Sequence, residues 1–294
     1  MITYFQAIVI GLLQGVTELF PVSSLGHSVL IPSLFGWDKL AAAQSASESF
    51  YLAFLVALHV ATALALLVFF RKDWAAIIGG FFRTLKTRRI TTKDERMAWL
   101  LVVATIPAGL TGLAFEHTLR TIFAKPLAAS IFLCVNGVIL LLGERLRRRD
   151  EVRRVAVAHG AQAQDDARKL DTLEPTEAGV IGVAQIGALF AGISRSGITM
   201  VAGLLRGLDH EDAARFSFLL ATPIIFAAGV YKIPDLLGPL GNGIRGQALA
   251  GGVAAAFAAF VSVKFLVRYF ETRTLTPFAL YCLVFGAAMI VRFA

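Results

Sequence analysis

Six stretches of the chain, 50–70, 97–115, 127–143, 214–232, 246–268 and 276–293, are apolar runs of the length that crosses a bilayer, where a spanning helix needs about 20 residues. That leaves few ways to fold. Hydrocarbon offers no water to backbone N–H and C=O groups, so each crossing must satisfy its own, and a helical bundle results. The expected class is an all-α polytopic membrane protein forming a single membrane domain, 1–294, with no room for a soluble one. Composition agrees: 57% of residues are hydrophobic and 16% charged, against about 45–50% apolar in soluble domains.

The net charge of +8 does not point to nucleic acid. The basic residues sit in short segments between apolar runs, where the positive-inside rule places them on the cytoplasmic side. Between Arg71 and Arg96 lie eight basic residues and three acidic ones, and the segment 144–175 opens with ERLRRRDEVRR. Both are expected to be cytoplasmic loops, with the linker holding His117 and Lys125 outside. Counting crossings from these loops puts both termini outside the membrane. The opening MITYFQAIVIGLLQ has neither a basic start nor a small-residue cleavage site, so it is expected to stay as a first helix. Cys134 and Cys282 lie inside apolar runs without CxxC spacing and are expected to be packing residues.

The stretch that does not belong in hydrocarbon is QGVTELFPVSSLGH, residues 14–27. Ionisable groups are costly there unless paired or facing a cavity, so such a cluster marks a functional site. Two short apolar halves flank it, 2–20 and 25–36, broken at Phe20-Pro21 because a residue before proline is driven out of helical geometry. A loop at 37–49 follows. The pattern recurs later, with a short half at 178–190, the polar AGISRSGIT, and a second half to about Arg206. Laying Gln14 on Gln185 puts Val22-Ser23-Ser24-Leu25-Gly26 on Ile193-Ser194-Arg195-Ser196-Gly197, and Phe54-Leu55-Val56-Ala57 resembles Phe218-Leu219-Leu220-Ala221. The expected architecture is six full transmembrane helices plus two re-entrant hairpins in an inverted repeat. Its halves run from about 1 to 143 and about 176 to 294, joined by the basic loop 144–175. Inverted repeats with broken helices place a site where the breaks meet, so Glu18, Ser24, His27 and Arg195 are expected to share one cavity.

Gln14 and Glu18 are four apart and so share a helix face. A carboxylate beside the His27 imidazole suits acid/base or metal-assisted chemistry. Ser23, Ser24 and Gly26 open the second half-helix, where hydroxyls cap free N–H groups and the positive helix end attracts anions. Ser194, Ser196, Gly197 and Thr199 repeat that arrangement and add Arg195, whose planar fork grips oxyanions in bidentate fashion. The expected ligand is an anionic phosphorus group held within the membrane. His59, alone in a full span, is expected to be a packing residue, and His117 and His159 carry no argument.

QGVTE with FPVSSLGH, AGISRSGIT, RFSFLLATP, the LHVAT holding His59 and FRKDW at 70–74 together resemble the undecaprenyl-pyrophosphate phosphatases, bacterial enzymes associated with bacitracin resistance. The resemblance covers nearly the whole chain. It implies that Glu18, Ser24, His27 and Arg195 occupy catalytic positions, with Gln14, Ser23, Ser194, Ser196 and Thr199 supporting them. The chain departs from the pattern at Gln14, neutral where other members carry Glu, and at Ala191, where proline is usual. The first removes one carboxylate from any cation site, and the second is expected to loosen the break.

The implied function is hydrolysis of undecaprenyl pyrophosphate to the monophosphate carrier and inorganic phosphate in the bacterial inner (plasma) membrane. Glu18 is the candidate ligand for a divalent cation, Mg2+ or Ca2+, and no organic cofactor is expected. The polyprenyl lipid and membrane lipids are the expected partners, and a homodimer is compatible with the sequence. A transporter or flippase of the same lipid is the alternative that the repeat architecture raises.

Overall fold

The computed structural model describes residues 2–37, 39–40, 43, 49–123, 125–157 and 168–294. The first helix, α1 (Tyr4–Thr17), starts at Thr3, whose hydroxyl accepts from Gln6 N while the Gln6 side chain accepts from Thr3 N, a reciprocal cap. It ends at Glu18, and α2 (Ser24–Leu34) begins behind Ser23, whose hydroxyl accepts from Gly26 N at 3.2 Å. The second break is built the same way. α7 (Pro175–Ala184) runs into a 3-10 turn, Gln185–Leu189, and α8 (Arg195–Leu204) begins behind Ser194, whose hydroxyl accepts from Gly197 N at 3.1 Å. With 14, 11, 10 and 10 residues, these four helices reach about 15–21 Å at 1.5 Å per residue, short of the roughly 30 Å hydrocarbon core.

The remaining helices are α3 (Phe50–Phe69), α4 (Arg71–Thr87), α5 (Lys93–Phe123), α6 (Pro126–Val157), α9 (His210–Leu237), α10 (Arg245–Phe270) and α11 (Thr276–Phe293). Six of them, all but α4, contain stretches long and apolar enough to cross a membrane, at the places the sequence indicates. The protein is a multi-pass, all-helical membrane protein. The only β-pairing among the described residues is an isolated bridge between Arg168 and Leu208.

Three expected loops are helical instead. The segment from Arg71 folds as α4 because Trp74, Ile77, Ile78, Phe81, Phe82 and Leu85 recur at helical spacing between its charges. The linker through His117 is the end of α5, and the basic start of 144–175 continues α6 to Val157. A change in polarity marks where a helix leaves the membrane, and the helix itself need not end there. Residues 158–167, with His159, and most of 37–49 lie outside the described residues.

Packing pairs the first short helix of each break with a span from the other half of the chain. α1 lies along α10, and α7 lies along α5. Both contacts are backbone-close: a Cβ on Gly11 would stand 2.2 Å from Gly251 O, and one on Gly182 would stand 2.4 Å from Ala104 O. Gly11 and Gly182 hold equivalent places when Gln14 is laid on Gln185. α3 packs on α9, and α6 on α11. Small residues at such contacts are what lets membrane helices approach, since lipid gives no hydrophobic drive between them. The main core fills the space between these pairs, with Leu19, Leu66, Phe216, Phe218 and Phe270 buried.

At one end of the bundle charged side chains pair. Arg215 meets Asp73, Lys93 meets Asp171, and Arg168 meets Glu177 at 2.7 Å. Glu144 joins three elements there, accepting from His210 Nε2 at 2.5 Å and Leu275 N at 2.8 Å.

Candidate active site

Glu18 sits where α1 stops, 7% exposed. Four groups converge on its carboxylate. Gln14 Nε2, one turn back on α1, donates to Oε2 at 3.0 Å. Ser24 Oγ, first residue of α2, donates to the same oxygen at 2.5 Å. Arg195 Nη2, from the start of α8, donates to Oε1 at 2.8 Å. His59 Nε2, from mid-α3, stands 3.3 Å from Oε2. The His59 ring is fixed by its other nitrogen: Nδ1 lies 2.8 Å from Leu55 O, and a carbonyl only accepts, so Nδ1 carries hydrogen and Nε2 is left to exchange protons with the site.

These groups open onto a cavity of about 270 Å3 walled by Val56, Ala108, Ile224, Ile225 and Ala228, with Glu18, Ser24, His59, Ser194 and Arg195 on its polar side. The cavity thus joins a charged pair from the two breaks to an apolar wall drawn from three spans.

His59, expected to be a packing residue, lines this cavity with Glu18, whereas His27, expected at a catalytic position, does not line it. Its Nδ1 donates to Ser23 O at 2.7 Å, which leaves Nε2 as the acceptor for Tyr281 O–H at 2.8 Å. The ring lies against both Tyr281 and Phe285, which also contact each other, so His27 ties the first break to α11. The sequence signal for His59 was present, since it stands at mid-depth in a span where an unpaired imidazole is costly, but its partner lies 41 positions away, in another helix.

Apart from Ser24, the serines hold the breaks and do not reach the carboxylate. Ser23 has a left-handed backbone, φ 70° and ψ 99°, which costs a non-glycine residue about 1–3 kcal/mol and persists only where the surroundings over-determine it. Here they do: its hydroxyl also accepts from Gly192 N at 3.1 Å, across the two breaks. Gly192 takes φ 112° at that crossing, next to Ala191, which is 2% exposed. Ser194 and Ser196 hydroxyls pair at 3.0 Å, and Thr199 Oγ1 pairs with Ser217 Oγ at 2.7 Å, one helix turn behind Arg195. Gly26 and Gly197 supply the capped N–H groups and approach the opposite break.

Asn136 is the clamp that motif reading passes over. Fully buried on α6, it donates from Nδ2 to Pro21 O at 2.9 Å and accepts at Oδ1 from Ser194 N at 2.9 Å. One amide therefore satisfies a backbone group from each break. A lone Asn in an apolar run, where a polar group must find a partner, was the available signal.

The donor set does not fit a cation held by the protein. Among the described residues no three His, Cys, Asp or Glu side chains gather as metal ligands, and both Glu18 oxygens already face donors, one of them a guanidinium.

Comparison with known proteins gives the family. The family described as bacitracin resistance protein BacA matches residues 7–288. The undecaprenyl-diphosphatase of Mycobacterium avium is 59% identical over the whole chain and 98% of that protein. Undecaprenyl-diphosphatase 2 of Frankia alni is 58% identical, again over the whole chain and 98% of its own length. Undecaprenyl-diphosphatase 2 of Burkholderia thailandensis is 46% identical over 94% of this chain and 92% of that one. With the match spanning both breaks and all six spans, the chain belongs to the bacitracin resistance protein BacA family.

Proposed function

We infer that the protein hydrolyses undecaprenyl pyrophosphate to undecaprenyl phosphate and inorganic phosphate, returning the lipid carrier to cell-wall synthesis. Full-length similarity to proteins named undecaprenyl-diphosphatase supports the activity. Within the chain, the observation that carries it is the meeting of Arg195 and Ser24 on the one carboxylate of Glu18, beside an apolar cavity. The transporter reading is not favoured, because the relatives are named for a bond-breaking reaction.

Phosphoryl transfer is mostly positioning and charge stabilisation. Arg195, with the N–H groups that helix geometry leaves unpaired at the starts of α2 and α8, would hold the non-bridging oxygens. Ser24 Oγ would attack the terminal phosphorus and pass its proton to Glu18. The bond from that phosphorus to the bridging oxygen breaks, and His59 Nε2 supplies the proton the departing lipid monophosphate takes. Water then attacks the phosphoserine and gives its proton to His59, while Ser24 Oγ leaves with the proton held by Glu18. Both side chains return to their starting states, and phosphate is free. His27 and Asn136 would serve this chemistry by holding the breaks in place. Any Mg2+ or Ca2+ would arrive on the diphosphate, and no step depends on a protein-held ion.

The same reading takes the two short-helix pairs as re-entrant hairpins and the halves 1–143 and 176–294 as inverted repeats of a single domain. The crossed packing of α1 on α10 and α7 on α5, with equivalent glycines at both contacts, supports it. Both termini then lie outside the bacterial inner membrane, with the paired charges around Asp73 and Arg215 inside. The exposed apolar face of α9 and α10, including Val230, Leu249 and Phe257, is covered by lipid or by a second copy of the chain.

Phosphate release from a prenyl diphosphate by purified protein in detergent, with acid-quench trapping, tests the scheme. A phosphorylated Ser24 is expected. Turnover undiminished in Ser24→Ala would overturn its role, and no phosphate release from the unaltered protein would overturn the activity.

A further inference from the structure

The 3-10 turn Gln185–Leu189 begins with a side chain that has no visible reason to be where it is. Gln185 is 2% exposed, and neither Nε2 nor Oε1 of its amide has a hydrogen-bond partner among the described residues. It lies on the wall of the same cavity as Glu18 and Arg195. Its counterpart in the first half, Gln14, gives its amide to Glu18 one turn on. At the equivalent place one turn after Gln185 stands Leu189, which can accept nothing. The second break thus carries the amide without the carboxylate that engages its counterpart in the first.

A buried amide without partners destabilises the fold that carries it, since its desolvation is not offset by new bonds. Replacing it with an apolar side chain of the same length would relieve that cost. A group bound in the cavity it borders would offset that cost, and this cavity is where a diphosphate would sit. The chemistry matches. A carboxamide is neutral, so it adds a donor beside an oxyanion without the repulsion a second carboxylate would bring, and without a charge competing with Arg195 for Glu18.

We propose that Gln185 is a substrate-binding residue of the second break, its Nε2 donating to a non-bridging oxygen of the bound diphosphate. The proposal rests on the phosphatase reading above. It makes the ligand site two-sided: Gln14 stays committed to Glu18, while Gln185 is reserved for the phosphate.

Gln185→Met separates this role from a structural one, because it keeps the length and apolar volume of the side chain and removes only its hydrogen bonds. In purified full-length protein, the variant should unfold at the same or a higher temperature than the parent, while kcat/KM for a prenyl diphosphate falls about 10- to 100-fold, the factor expected for one hydrogen bond to a charged group. Competitive inhibition by a prenyl methylenediphosphonate should weaken by a similar factor. Gln185→Glu, which sets a negative charge against the phosphate, should lose more than Gln185→Met. Unchanged kcat/KM and inhibition in Gln185→Met overturn the proposal. So does a large fall in unfolding temperature with undiminished inhibitor binding, which would make the amide structural. Parent protein that releases no phosphate would instead overturn the phosphatase reading, so the two failures are distinct.

Discussion

Each contact of Glu18 can be removed separately. Arg195→Ala takes away the guanidinium that donates to it and is expected to reduce phosphate release about 100-fold or more, as loss of a transition-state charge partner does. Arg195→Lys keeps the charge but not the fork and is expected to recover only part of that. The histidines should part company. His59→Ala is expected to lower kcat about 100-fold or more with little change in unfolding temperature, since His59 reaches the carboxylate and its side chain is 26% exposed. His27→Ala, losing bonds to Ser23 and Tyr281 and two stacked rings, should lower the unfolding temperature along with activity. Thermal denaturation read beside turnover decides this; equal stability losses in both variants would remove the distinction. Because Glu18 already faces four donors, Mn2+ binding followed by spectroscopy is expected to show no site in the protein alone and one when a diphosphate analogue is added.

At the scale of elements, the breaks are fixed by partners outside the motifs. Asn136→Leu leaves Pro21 O and Ser194 N buried without their bonds, at about 1–3 kcal/mol for each orphaned group. It is expected to lower stability and activity together, whereas Asn136→Asp is expected to keep the bond from Ser194 and do less harm to the second break. Gly11→Val and Gly182→Val each force a side chain into a backbone contact closer than any Cβ tolerates. Both should destabilise the bundle by about 1–3 kcal/mol or more, and by comparable amounts, because they lie at equivalent helix contacts. A large loss in one and none in the other, measured by unfolding in detergent, would count against equivalence of the halves. Part of this level is legible in advance: the pairs of short helices follow from Pro21 and the serine-glycine spacing, whereas α4, expected as a loop from its charges, is betrayed only by its apolar periodicity. Asn136 is not, because nothing local tells a clamp from a tolerated polar residue when its two partners lie 115 and 58 residues away.

For the whole molecule, orientation is the open consequence. If the halves are inverted, a single cysteine at Arg88 should be labelled only from the cytoplasmic side and one at Asn242 only from outside, in intact cells against inverted vesicles. Labelling of both from one side would break the topology. The native Cys282 is buried and Cys134 only partly exposed, so background labelling is expected to be low. The charged pairs at one end of the bundle, Asp73 with Arg215 and Lys93 with Asp171, belong to the side that should face the cytoplasm.

The sequence by itself determined the solvent and the chemistry: apolar runs of bilayer length require helices, and a carboxylate, serines and an arginine inside them require a site. Those constraints are local, acting through length, periodicity and the cost of a bare polar group in hydrocarbon. What only the tertiary structure decided is who meets whom. His59 and not His27 reaches Glu18, Asn136 joins two breaks, and Gln185 is left waiting where Gln14 is satisfied, because each of these outcomes depends on how one helix is rotated against another. Rotation is set by backbone-close contacts such as Gly11 with Gly251 of α10 and Gly182 with Ala104 of α5, between residues 240 and 78 positions apart, and a linear pattern does not encode it.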